Sequence, residues 1–224
     1  MSSRTLYRLS GGTLIVGSVF ILISSVVSSI LYPGHNTTSQ QLLSSTYLIV
    51  TLLNIIGALL FVIGLPGMYL RQAGRAGVLG LVGFILLFFG LLLDQIAFAT
   101  IQALILPFLA QKVPQFTGNS GPPIGVLLLL FISGFMEIIG GILLGIASMR
   151  ARMFPRWAGV LLIVFGVTFL LNGFLPGILG DIFEVVSFIP FSATFIWCGY
   201  LLMTQEQEAG EAVSLPAAGA GASQ

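Results

Sequence analysis

Residues 75–94, RAGVLGLVGFILLFFGLLLD, run from a basic residue to a carboxylate with no charge between them. About 20 apolar residues are what an α-helix needs to cross a hydrocarbon layer of about 30 Å. In that layer only a helix or a closed barrel satisfies its own backbone. At helical spacing Ala76, Gly80, Gly83, Leu87, Gly90, Asp94 and Ala97 form one stripe, and Leu79, Phe84, Phe88, Leu92 and Leu93 fall off it. Small residues let helix backbones approach closely in lipid. The stripe is therefore expected to face protein, with Asp94 on it, and the bulky side to face lipid.

The rest of the chain has the same character. Of 224 residues, 57% are hydrophobic and only 7% charged, against roughly 25% charged in soluble proteins, and mean hydropathy is +1.09. The fold class implied is an all-α polytopic membrane protein, with the lipid bilayer as its first partner. Net charge is +1 and the basic residues are dispersed at span ends, which gives nucleic acid no patch to bind. A single cysteine, Cys198, allows no intrachain disulfide and no thiol-rich metal site.

Six spans are expected, at about 11–31, 46–65, 77–97, 125–148, 157–177 and 185–203, making 1–203 one transmembrane domain and 204–224 a disordered cytoplasmic tail poor in apolar residues. The first run is longer than a signal-peptide core and has no clear small-residue cleavage site, so it reads as a span. Apolar character continues past the third span to Ala110, about 50 Å of helix, so the crossing is expected to end near Ala97 and the chain to Pro107 to tilt, kink or lie along the surface. Segments 32–41 and 112–123 read as loops. Arg4, Arg8, Arg71, Arg75, Arg150, Arg152 and Arg156 fall on one side and Lys112 alone on the other, which puts both termini in the cytoplasm of a cell membrane.

An internal repeat is visible. LSGGTLIVGSVFIL from Leu9, RAGVLGLVGFILLF from Arg75 and WAGVLLIVFGVTFL from Trp157 align, as do NIIGALLF from Asn54, EIIGGILL from Glu137 and, more loosely, IWCGYLLM from Ile196. The chain thus reads as three two-helix hairpins in one orientation about a pseudo-threefold axis. With RAGVL at 75–79 as a span entrance, this organisation resembles six-span bacterial membrane proteins grouped as families of unknown function, over roughly residues 8–203. The resemblance implies architecture only.

The apolar spans hold acids but no bases. Asp94 lies about 26 Å from the cytoplasmic start of its span and Glu137 about 17 Å from the cytoplasmic end of its own, near the midplane. A carboxylate there must be protonated, reach water or hold a cation. Glu137 shares a face with Ser133, Gly134, Gly140, Gly141, Gly145 and Ser148, so it too is expected to point at other helices, as helix glue or as a proton or cation site. Asn54, which aligns with Glu137, and Asn172, with Gln95 and Gln102, are candidates for a polar lining or for interhelical amide bonds. Gly159, Gly166, Gly173, Gly177 and Gly180 read as a packing seam, Pro176 and Pro190 as helix ends or breaks, and Asp181 and Glu184 as a solvated outer loop. The arginines at 150–156 set topology first and contact anionic lipid second.

His35 is the only histidine, in a polar loop, and no lysine lies in a span. These facts argue against intramembrane bis-histidine haem, a histidine-based metal site and a Schiff-base lysine. With no nucleophile–base pair and no nucleotide motif, no enzyme, cofactor or metal is expected. Two functions stay open: a small permease or channel-like protein using Glu137, Asp94, Asn54 and Asn172 along a polar path, or a scaffold or accessory subunit whose acids fasten helices and whose glycine faces bind a membrane partner or a second copy.

Overall fold

The computed structural model describes residues 3–33, 37–113, 123–175 and 177–214. His35, Pro176, most of the 112–123 loop and residues 215–224 of the expected tail lie outside the described residues. The described residues are 92% helical, and no strand occurs among them. In order come α1 (Ser3–Leu31), α2 (Ser39–Leu42), α3 (Ser45–Leu91), two π-helical segments (Leu92–Phe98 and Ile101–Ile105), α4 (Leu106–Lys112), α5 (Ile124–Ala151), α6 (Arg156–Asn172) and α7 (Ile178–Ser214). Among the described residues four helical stretches are long and apolar enough to cross a membrane: Thr5–Leu31, Ser45–Lys112, Ile124–Ala151 and Ile178–Thr204. Helix α6 is apolar too but only 17 residues long. The outer surface is correspondingly oily, with Val78, Ile124, Phe131, Phe174 and Ile178 among the exposed side chains, so the chain is a membrane-embedded helical bundle.

The 68-residue stretch Ser45–Lys112 is not one straight rod. Gly77 has φ 61° and ψ −163°, outside helical geometry, in a region an L side chain rarely enters. It lies just past the basic Arg71–Arg75 segment and divides α3 into two arms. The arms meet again through Tyr69 and Phe84, stacked with ring centroids 4.6 Å apart. That stack corrects one expectation: Phe84, Phe88 and Leu92 pack on the core instead of facing lipid. On the second arm Val78, Leu81, Val82, Ile85 and Phe89 remain exposed. Beyond Leu91 the chain does not break near Ala97. It continues through the two π-helical segments into α4, with Ala99 N–H bonded to the Asp94 carbonyl and Leu106 N–H to that of Ile101.

Glycines set how closely the helices approach. A Cβ built on Gly17 of α1 would lie 2.6 Å from the Phe61 amide nitrogen and 2.7 Å from the Gly57 carbonyl of α3. On the second arm, a Cβ on Gly83 would lie 2.6 Å from the Leu144 nitrogen of α5. Gly11 and Gly199 join α1 to α7, and Gly145 and Gly159 join α5 to α6, each with the partner's carbonyl within 2.7 Å of a built Cβ. The glycine series on α6 is divided: Gly159 and Gly166 sit in the α5 seam, whereas Gly173 only meets a nearby carbonyl at 3.5 Å and Gly177 has φ 62° with open space around it.

Inside the bundle, Phe61, Phe165, Phe191 and Phe195 are fully buried, with Phe61 5.1 Å from Phe191 and 4.6 Å from Phe195, and Phe165 4.8 Å from Phe191 between centroids. Leu14, Leu65, Met68, Leu144 and Leu162 extend this core. At the arginine-bearing end, Arg71 reaches the Leu201 carbonyl at 3.4 Å and lies 6.0 Å from the Phe154 ring centroid. Nearby, Ser148 Oγ donates to Oε1 of the fully buried Gln72 at 2.8 Å, while Gln72 Nε2 has no hydrogen-bond partner among the described residues. Ser148→Ala is expected to strand the amide oxygen as well and to lower stability by about 1–3 kcal/mol, measurable as a reduced unfolding temperature in detergent.

Candidate functional site

A cavity of about 960 Å³ occupies the half of the bundle away from the arginine-bearing turns. Its outer rim is set by local sequence. Thr38 caps α2 in a reciprocal box: Gln41 N–H donates to Thr38 Oγ1 at 3.3 Å and Thr38 N–H to Gln41 Oε1 at 2.8 Å. This fixes Leu42 against Tyr32, Tyr47 and Ala110, with the two tyrosines edge to face at 5.4 Å. The floor is Phe169 and Phe188, the outermost members of the aromatic core.

Polar side chains from several helices line the wall. From α1 come Ser24, Ser25 and Ser28, from α3 Thr51 and Asn54, from the π-helical segments Asp94, Gln95 and Gln102, from α6 Asn172 and from α7 Glu184. Four of the residues singled out from sequence as a polar lining, Asn54, Gln95, Gln102 and Asn172, thus share one cavity with Asp94. A π-helical turn carries an extra residue and rotates the next turn of helix about the axis, a device frequent at functional sites. Here it holds Asp94 and Gln95 on the same wall, and Gln95 Nε2 donates to Asp94 Oδ2. Across the cavity Ser24 Oγ donates to Asn54 Oδ1 at 3.0 Å.

Glu137 is placed differently. It is fully buried on α5 with Ser133, Gly140, Gly141, Gly145 and Ser148, but it is absent from the cavity wall. It lies behind Gly90, where a built Cβ would meet the Glu137 Cγ at 2.7 Å. Both carboxyl oxygens lack a hydrogen-bond partner among the described residues. No guanidinium among the described residues is hydrogen-bonded to it.

Two expectations are corrected. Asp181 is not in a solvated loop: it is 4% exposed, in the first turn of α7, because the helix begins at Ile178 just after the positive-φ Gly177. Glu184, one turn on, faces the cavity. Ser25, Tyr32 and Tyr47 were not legible as wall residues, since a serine or tyrosine near a span end carries no signal of which helix it will face. The helical backbone of α7 runs on to Ser214. Among the described residues no group of three or more histidine, cysteine, aspartate or glutamate side chains is placed to hold a metal ion. No family model matches the chain, and neither a curated protein nor a solved structure does.

Proposed function

We propose that this chain is a small six-span permease whose cavity is the substrate site and whose intramembrane acids, Asp94 and Glu137, carry protons. The single observation behind this reading is the 960 Å³ cavity walled by Asp94, Glu184, amides and hydroxyls inside a largely apolar bundle, since ionisable groups within spans mark solute and proton pathways. In this reading Gly77 is the cytoplasmic turn between spans two and three, and the 17-residue α6, about 25 Å long, is the short fifth span. With both termini and the arginine-bearing turns in the cytoplasm, the cavity faces outward and the phenylalanine core closes the inner side.

Three hairpins related by repetition are part of the proposal. The support is that Gly17 and Gly83, which align in sequence, meet Phe61 and Leu144, which also align, at the same 2.6 Å. For the third hairpin, Thr194 Oγ1 reaches the Ala158 carbonyl at 3.4 Å, much as Gly64 packs on the carbonyl of Ser10, the residue that aligns with Ala158. These contacts favour Glu184, not Ile196, as the counterpart of Asn54 and Glu137. Ser24, Gly90 and Asn172 then stand opposite them. On this view Glu137 has no partner because glycine replaces the serine that bonds Asn54 in the first hairpin.

The scaffold reading, in which the acids fasten helices, requires Glu137 to make a hydrogen bond, and it makes none among the described residues. Reconstitution into vesicles holding a trapped pH-sensitive dye tests the permease. Wild type should pass protons down an imposed gradient, and Asp94→Asn should slow this by about a hundredfold, the lower end of what a positioned proton-transfer group contributes. A folded wild type without flux would leave the scaffold standing.

A further inference from the structure

We infer that the cavity takes an uncharged single-chain amphiphile, with a hydroxyl-bearing head among Ser25, Asn54 and Gln95 and an apolar chain along α4 and α5. The inference rests on reading the cavity as the substrate site and names the class of solute. The elements of the wall differ in kind. Helices α4 and α5 contribute Leu106, Leu109, Val126 and Leu130 and nothing polar among the described residues, while α1, α3 and the π-helical segments contribute most of the hydroxyls and amides. A solute polar all round would leave its own groups unpaired against the leucines and valine. One apolar all round would leave the hydroxyls and amides without partners.

Hydrogen bonding decides the head. Ser25 lines the cavity, is 8% exposed and keeps an Oγ with no hydrogen-bond partner among the described residues, although buried hydroxyls are ordinarily satisfied. Asn54 accepts from Ser24 through Oδ1, which leaves its N–H donors. Gln95 donates to Asp94 through Nε2, which leaves Oε1 as an acceptor. Donors and acceptors thus line the same cavity, and a hydroxyl answers both at one atom. A quaternary ammonium has no acceptor for the amide N–H groups. A sulfate or phosphate would find no lysine, arginine or histidine on the wall among the described residues. The volume of about 960 Å³ is at the upper end for drug-sized ligands, room for a small head with one short chain.

Binding of radiolabelled 1-octanoylglycerol to the full-length protein in nanodiscs tests this, with empty nanodiscs measuring partition into the bilayer. Saturable binding above that background is expected, displaced by unlabelled 1-octanoylglycerol but not by glycerol, octyl sulfate or octyltrimethylammonium. Ser25→Ala should weaken it about two- to tenfold, as loss of one hydrogen bond does. Because the Ser25 hydroxyl has no partner to lose among the described residues, the same variant should keep or raise the unfolding temperature, so a fall in affinity reads the ligand contact. Absence of saturable binding to wild type, displacement by glycerol or by either charged octyl compound as strong as that by 1-octanoylglycerol, or undiminished affinity of the folded Ser25→Ala protein would each overturn the inference. Amphiphile binding by a protein that passes no protons in vesicles would keep the ligand class and remove transport. Proton flux without amphiphile binding would do the reverse.

Discussion

Glu137→Met raises the unfolding temperature of the detergent-solubilised protein and abolishes proton flux in vesicles: that is the expected result. Met fills nearly the same volume and brings no strongly polar atom, so the substitution removes two buried oxygens that nothing among the described residues satisfies. An unsatisfied buried polar group costs about 1–3 kcal/mol, and replacement by an apolar group of similar shape relieves it. Glu137→Gln should relieve less, because an amide still carries a donor and an acceptor into the same dry site. Thermal unfolding of the three proteins, followed by near-ultraviolet circular dichroism, checks the order Met above Gln and wild type. A higher unfolding temperature without the acid would mean that the carboxyl does not hold the fold. If Glu137→Met instead destabilises, the carboxyl has a structural partner and its role as a proton site fails.

The second large effect concerns helix approach. Gly83→Ala and Gly140→Ala are each expected to destabilise by about 1–3 kcal/mol, the range for overpacking a filled interior. A Cβ on either would stand under 3.0 Å from backbone atoms of the facing helix, Leu144 for Gly83 and Leu87 for Gly140. Backbone in a helix cannot rotate aside, so α3 and α5 must separate along the whole seam. Gly12→Ala and Gly74→Ala are the controls, with nothing within 4 Å of a built Cβ. There the gain in helix propensity, up to about 1 kcal/mol, should leave stability unchanged or slightly raised. Equal losses at all four positions would show that glycine is needed for backbone flexibility and not for close packing.

The two substitution sets read different properties of the same neighbourhood. Gly90 brings α3 against Glu137, and one helical turn further the chain presents Asp94 to the cavity. Close packing therefore shields one acid while the other meets the solute space. Ser24 and Asn54 occupy the corresponding contact between α1 and α3, bonded at 3.0 Å. There a serine hydroxyl bonds the amide oxygen, which Gly90 cannot do for Glu137.

The stripe of small residues from Ala76 to Gly90 was readable because helical periodicity alone decides which side chains share a face, and Ala76, Gly80, Gly83, Leu87 and Gly90 are all buried. The clustering of basic residues at particular turns was readable for the same kind of local reason. The fate of Phe84 and Phe88 was not, since an aromatic side chain suits lipid and protein equally and only the second neighbour, Tyr69, decides between them. Register in the last hairpin was also hidden. Apolar helices resemble one another, so IWCGYLLM matched by composition while the contacts of Thr194 favour a different alignment.

By itself the sequence determined that this chain is helical, is apolar enough for a membrane and has acids but no bases within its apolar spans, because hydropathy and periodicity act within single segments. Only the tertiary structure decided that Asp94, Glu184, Asn54 and Asn172 surround one cavity while Glu137 is sealed behind Gly90. Which polar groups share a space depends on the rotation and depth of each helix against the others. That is set by backbone contacts at glycines many residues away, and by the π-helical turns that re-aim Asp94 and Gln95.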